Sequence, residues 1–283
     1  MKGEQRFLGI DWGANDNWKS CVLHDNGEEL SLAPDAPANR DAVDFGLYQR
    51  TAVDCPFGTT RVFQGVLTGA PVERAFPTAA CDRASEVAIR ERIGAFHIVR
   101  LWNDLAPGGP PLFNSTGHIQ STVRLSIVPD FLNWFVAERF AGQAIDNGSV
   151  ELVEARLGHP PVVEAHPRAF LYSCIELLHE LPLEWAQVLP QARDYKTPTG
   201  RGAMLHLLGE NIGWMGDQVR DLGPVLDHPQ TILASDHDFD AFLAALTAWA
   251  HGVGVALWAH NAAGLADETV AIEGHLLILD TAP

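Results

Sequence analysis

The run Thr51-Ala52-Val53-Asp54-Cys55-Pro56-Phe57-Gly58 restricts the fold more than any other part of the chain. A few apolar residues bounded by turn signals read as a buried strand. Pro56 has no amide proton to give to a ladder and steers Cys55 out of helical geometry, so the strand is expected to stop at Asp54. An acid then stands at the carboxyl end of an interior strand, where open α/β sheets gather their ligands. Arg6-Phe7-Leu8-Gly9-Ile10-Asp11 repeats the pattern and ends in Asp11. Pro161-Val162-Val163-Glu164 repeats it again and ends in Glu164, ahead of Ala165-His166-Pro167. Three strands, each closed by an acid, are expected to converge on one metal site.

The surroundings of these strands set the fold class. Trp18 to His24 alternates as a second strand, Asp25-Asn26-Gly27 is a hairpin signal, and Glu29 to Ala33 is expected to return antiparallel. Asn39 is placed to cap a helix from Arg40 to about Tyr48. A hairpin, a helix and then a new strand beside the first predict an α/β fold with a mixed sheet. From about Gly58 to Gly158 prolines and glycines interrupt the pattern, with helices expected from about Asp82 to Ile93 and within Pro129 to Phe140. No low-complexity linker flanks this region, so it reads as a mainly helical insertion at about 58–158 in a single domain spanning 1–283. Pro167 suits the first position of a helix reaching about Glu180, and Thr199 to Leu208 follows Tyr195-Lys196 as another. Ser235 or Asp236 is a natural cap for a long apolar helix through Ala241 to about His251. Ala271 to Leu279 reads as a turn and a final strand.

His237 and Asp240 lie three apart and share a helix face, as do Asp236 and Asp240. A helix otherwise apolar packs on the sheet and can carry an acid over the strand ends. Two-metal phosphoryl chemistry uses this kind of arrangement, with carboxylates from several elements bridging cations about 3.5–4 Å apart. Oxygen-rich ligands and the lack of a Cys/His cluster with zinc spacing favour Mg²⁺ or Mn²⁺. Taken singly, each acid has a structural reading too. A strand-ending Asp commonly serves a turn, and Asp236 and Asp238 suit the first turn of a helix, where the dipole favours anions. His237 reads equally as a half-buried packed histidine, and Glu164 as a cap for the following helix. Coincidence of several acids at element ends is what favours a site. Arg83, Arg90 and Arg92 form a short basic stretch, either a phosphate contact or a solvated helix face.

Composition narrows the partners. The chain of 283 residues is 47% hydrophobic, ample for a large core, and no apolar run approaches a bilayer span. Residues 1–6 lead into a strand without a signal-peptide core, and the four cysteines form no C-x-x-C pair, so a cytoplasmic, reducing setting is expected. A net charge of −17 opposes non-specific adhesion to nucleic acid or to anionic membrane.

The ordered motifs resemble the domain-of-unknown-function family 429. They are Leu8-Gly9-Ile10-Asp11; Val53-Asp54-Cys55-Pro56-Phe57-Gly58; Cys81-Asp82-Arg83 with Arg90, Arg92 and Gly94; Val163-Glu164-Ala165-His166-Pro167; Tyr195-Lys196; His237-Asp238-Phe239-Asp240-Ala241; and Glu273-Gly274. The resemblance spans nearly the whole chain. It implies a predicted nuclease of the ribonuclease-H-like superfamily, with a five-stranded mixed sheet of order 3-2-1-4-5. Acids are then expected on strands one and four and on the helix after strand five, at Asp11, Asp54 and Asp240. The His237-x-x-Asp240 spacing also resembles the final pair of Holliday-junction resolvases.

The reading of the sequence is a divalent-metal-dependent phosphodiester hydrolase using one or two Mg²⁺ or Mn²⁺ ions. Asp11 and Asp54 bridge the ions, Asp240 completes a coordination sphere, and Glu164 belongs to the strand-five motif as a further ligand candidate. His237 either orients the attacking water or binds the second metal, Lys196 neutralises the scissile phosphate, and Arg83, Arg90 and Arg92 bind substrate. The expected substrate is nucleic acid or a short nucleotide, and the high negative charge points either to a small or short nucleotide or to a lost activity. The alternatives are a nucleotide-binding phosphotransferase of the actin and sugar-kinase type, for which no second Gly-Ile-Asp strand-turn is found, or a non-catalytic scaffold.

Overall fold

Strand β1 (Gln5–Trp12) is the centre of a five-stranded mixed sheet of order β3-β2-β1-β4-β5. The computed structural model describes residues 4–12, 18–55, 91–97, 99–100, 104, 162–176, 194–211, 220–255, 257–258 and 278–279. On one side β1 pairs antiparallel with β2 (Trp18–Asp25), which pairs antiparallel with β3 (Leu30–Leu32). On the other side β4 (Arg50–Asp54) lies parallel to β1, and β5 (Val162–Glu164) lies parallel to β4. The strand that Pro56 was expected to stop does end at Asp54.

The β2–β3 turn is closed by its own side chains. The Asp25 carboxylate accepts from the Gly27 amide at 2.7 Å, and the Asn26 side-chain oxygen accepts from the Glu28 and Glu29 amides at 2.9 Å. The helix expected from Arg40 to Tyr48 is instead two single 3₁₀ turns, Arg40–Ala42 and Phe45–Leu47. Asn39 caps the first as expected, but Asp44 turns its carboxylate onto the Gly46 amide and caps a second turn. Such local side-chain capture competes with helix propagation, and only Phe45 of the two turns is buried to reward a longer helix.

Five helices follow β5 among the described residues: α1 (Pro167–Glu176), α2 (Pro198–Asn211), α3 (Gly223–Leu226), α4 (Pro229–Leu233) and α5 (Asp236–Val253). Pro167 opens α1 as expected. Ser235 caps α5: its hydroxyl accepts from the Asp238 amide at 3.1 Å and donates to the Asp238 carboxylate at 2.5 Å. A two-stranded antiparallel pair joins β6 (Leu257–Trp258) to β7 (Ile278–Leu279). No helix among the described residues is long and apolar enough to cross a membrane.

The sheet separates two cores. Phe7, Ala52 and Val163 pack with α1, α2 and the apolar face of α5, together with Ile93, Phe96 and Val99. Leu8, Ile10, Trp12, Val53 and Val162 pack on the opposite face against Phe45, Tyr48 and Cys55. Alternation along each strand therefore assigns every residue to a face. Gly9 explains how α5 lies so close: a Cβ there would stand 2.1 Å from both the Ala241 carbonyl oxygen and the Ala245 nitrogen. At the far end, Gly252 abuts Phe7 and Arg50, so α5 runs antiparallel to β1 and β4. Its N-terminus therefore lies over their carboxyl ends. A buried contact secures the C-terminal half of α5: Asp25 accepts from the Trp249 indole at 2.9 Å and from Arg220 at 2.6 Å.

Of the expected insertion at 58–158, residues 91–95 are helical, overlapping the last residues of the helix expected from about Asp82 to Ile93 and running two residues beyond it. The rest of that helix with Arg83 and Arg90, the loop Ala106–Pro111, the Pro129–Phe140 helix, the extension of α1 to Glu180 and the Glu273-Gly274 turn lie outside the described residues.

Candidate functional site

Asp11 and Asp54 are register partners on adjacent parallel strands, so their backbones are about 4.8 Å apart and their side chains leave the same face. That face is the one Gly9 opens to α5. The close approach brings the first turn of α5 over the strand ends, and with it Asp236, His237 and Asp240. His237 Nδ1 meets an Asp11 carboxylate oxygen at 2.6 Å. Asp11 and Asp240 are buried, at 5% and 4% exposure.

The turn before α2 supplies the remaining polar groups. Tyr195 donates its hydroxyl to Asp240 Oδ1 at 3.0 Å, and Lys196 donates to Asp240 Oδ2 at 2.5 Å. Lys196 also lies 3.4 Å from Asp236. This turn is held from behind. Arg201 on α2 donates to the Lys196 carbonyl at 2.8 Å and to the Leu233 carbonyl at 3.1 and 3.2 Å. Gly200 leaves room for it: a Cβ there would lie 1.8 Å from the Asp194 carbonyl oxygen. Arg168 of α1 stacks over the Tyr195 ring at 5.1 Å.

Asp54 differs from its neighbours. Among the described residues it has no hydrogen-bond or ion-pair partner, although it keeps some exposure as a residue. Enough protein encloses its carboxyl that desolvation is the largest cause of a pKa well above the ordinary value, reinforced by the charges of Asp11 and Asp240. Burial also raises Asp11, with His237 and Lys196 pulling it partly back, and raises Asp240 against the opposing pull of Lys196. The His237 pKa is raised, chiefly by its hydrogen bond to Asp11. Burial works against the Lys196 ammonium, but Asp240, Asp236 and Asp54 outweigh it and hold its pKa above the usual value. Tyr195 is raised well above the usual phenol value by burial and then by Asp240.

The sequence-derived candidates thus divide. Asp11, Asp54, Asp240, His237 and Lys196 come together. Glu164 does not join their face: it is the register partner of Val53, one residue out of phase with Asp54, and follows Val162 onto the side of Phe45 and Tyr48. Its charge is still felt at Asp54. Arg92 is placed half-buried in the 91–95 helical stretch, and Arg83 and Arg90 lie outside the described residues. Tyr195, Arg201, Gly9 and Gly200 also serve the site. Tyr195-Lys196 and the Gly9 of Leu8-Gly9-Ile10-Asp11 stood in motifs legible in the sequence, though not their roles, whereas Arg201 and Gly200 act through close tertiary contacts that no local pattern announces.

A hard divalent cation fits this donor set chemically. The carboxylates of Asp11, Asp54 and Asp240 are oxygen ligands held close together, each with a pKa raised chiefly by burial, so a cation that joins them would offset the cost of their ionisation. In the arrangement described, no group of three or more His, Cys, Asp or Glu side chains among the described residues is set to hold a metal ion. Both oxygens of Asp240 are already taken, by Tyr195 and Lys196. No family model, curated protein or solved structure matches the chain.

Proposed function

We propose that the chain is a divalent-metal-dependent phosphodiester hydrolase built on a ribonuclease-H-like core, related to the domain-of-unknown-function family 429. The observation that carries this reading is Asp54: an enclosed carboxylate, with no hydrogen-bond or ion-pair partner among the described residues, beside Asp11 and Asp240 at the carboxyl ends of two parallel strands. The sheet order and the acids on β1, β4 and α5 support it further. Asp11, Asp54 and Asp240 would hold Mg²⁺ or Mn²⁺, one ion or two. When bound, the cation supplies Lewis-acid stabilisation of charge on a phosphoryl oxygen. Glu164, on the opposite face, acts on the site through its charge.

The protein's own groups account for the rest. Asp11 fixes the His237 ring through Nδ1, leaving Nε2 to take the proton of an attacking water. Water oxygen bonds to phosphorus, the bond to the leaving oxygen breaks, and that oxygen takes a proton from solvent. Neutral His237 is required, so the rate rises with pH through its raised pKa. Arg83, Arg90 and Arg92 are proposed to meet the substrate from the insertion. The charge of −17 favours a short or small nucleotide as substrate.

The test is hydrolysis of bis-p-nitrophenyl phosphate, dinucleotides and longer DNA and RNA strands with Mg²⁺ or Mn²⁺, in wild type and Asp54→Asn. Metal-dependent turnover lost in the variant is expected. Equal turnover in both would refute the assignment. The existing neutralisation of Asp240 by Lys196 favours, as a second reading, a non-catalytic scaffold, for which no substrate is cleaved and no metal is bound. A phosphotransferase would instead reveal itself by nucleoside triphosphate binding.

A further inference from the structure

Lys196 reaches into the acid cluster from outside α5, and its placement has a consequence for any cation that enters. Asp240 presents two oxygens. Oδ1 accepts from the buried Tyr195 hydroxyl, and Oδ2 from the Lys196 ammonium, which also faces Asp236 at 3.4 Å. The two donors are not equivalent. Tyr195 is wedged in the core, with its ring 5.9 Å from Phe239 and beneath Arg168. The Lys196 side chain is 39% exposed and sits on a flexible four-carbon stem. Its backbone, in contrast, is pinned by Arg201 to the start of α2. The side chain can leave while the turn stays.

We infer that Lys196 is the resident counter-cation of this site, which a divalent ion displaces from Asp240 and which is thereby released towards the substrate's phosphate. The inference rests on the metal-dependent reading above and adds an exchange step to it. A divalent ion and an ammonium compete for Oδ2, since each needs its negative charge and each repels the other. Tyr195 keeps its bond to Oδ1 throughout, so Asp240 does not change orientation when the exchange occurs. No covalent step is involved: one cation leaves the carboxylate as another arrives. Lys196 is a positioning residue in the free protein and a phosphate contact only after release.

Mn²⁺ alone, titrated calorimetrically into the full chain, tests the exchange in wild type and Lys196→Met. Removing the competing charge-assisted hydrogen bond should tighten Mn²⁺ binding by about tenfold or more. A second measurement needs only the wild-type chain: acetylation of lysine amines by an N-hydroxysuccinimide ester, read by peptide mass spectrometry. Lys196 should label several times faster with saturating Mn²⁺ than with chelator, with an added unstructured lysine peptide as the reference, since Lys19 pairs with Asp11 in register and with Asp238 as an ion pair. Equal or weaker Mn²⁺ binding by Lys196→Met, or Lys196 labelling unchanged by Mn²⁺ that binds, overturns the exchange and leaves the metal reading standing. Absence of Mn²⁺ binding in both proteins overturns both.

Discussion

Replacing Gly9 with alanine tests how the site is assembled, because the substitution changes no polar group yet strikes the contact that brings α5 to the strand ends. The added Cβ would meet the Ala241 oxygen and the Ala245 nitrogen at 2.1 Å and the Ala245 Cα at 2.7 Å, where ordinary contact begins at 3.4 Å. These are backbone atoms of a regular helix, so no side chain can swing aside, and α5 must retreat by about 1 Å or more. Overpacking of this kind costs about 1–3 kcal/mol, which in a chain of this size lowers Tm by roughly 2–12 °C. The same retreat stretches the 2.6 Å contact between His237 and Asp11. That hydrogen bond is the main cause of the raised His237 pKa, so the ring should titrate closer to its ordinary value of about 6.5. A thermal scan and an NMR titration of His237 measure both effects. Gly202→Ala is the control, since a Cβ there meets nothing within 4 Å. An unchanged Tm and an unchanged His237 titration in Gly9→Ala would refute the close-approach account.

Asp25→Ala removes the acceptor of the buried Trp249 indole and the carboxylate that Arg220 meets, and should destabilise the fold by about 1–3 kcal/mol in a denaturant titration. The Asp25 pKa is lowered overall, with Arg220 and Trp249 outweighing burial, so its contribution is present above about pH 3.9 and is lost as pH falls through the folded value. Ser235→Ala removes the acceptor for the Asp238 amide and should cost about 1 kcal/mol, measured the same way.

What the sequence disclosed was local. Pro56 after an apolar run placed Asp54 at a strand end, and Ser235 ahead of an apolar stretch placed the start of α5, because both signals act within a few residues. A mixed sheet followed from a hairpin, a connection and a new strand beside the first, whereas the order 3-2-1-4-5 was implied only by the family resemblance. The reading of 40–48 as one helix failed because Asp44 had two equally local options and took the cap. Glu164 shows a different limit. Ending a strand does not fix a face; register does, and pairing Glu164 with Val53 rather than with Asp54 sends it across the sheet. The pairing of Lys196 with Asp240 spans 44 residues and depends on the tertiary contacts of Arg201 and Gly200, which no local pattern signals even though α2 itself was legible.

The central claim, that Asp11, Asp54 and Asp240 together hold a divalent cation, is tested most directly by the Mn²⁺-induced shift in Tm of the wild type and of Asp54→Asn, each against chelator. Asp54 has a raised folded pKa, so the folded chain binds its proton more tightly than the unfolded chain. The stability from that difference is full below about pH 3.9 and is lost as pH rises through the folded value. At neutral pH, Asp54→Asn should therefore be as stable as the metal-free wild type or more so, because it removes an ionisable group whose charge is disfavoured by burial and then by Asp11 and Asp240. Mn²⁺ should raise the wild-type Tm by mass action and leave the variant where it was. A metal-free variant that melts lower than the wild type, with no Mn²⁺ shift in either, would contradict the claim and make Asp54 a structural residue.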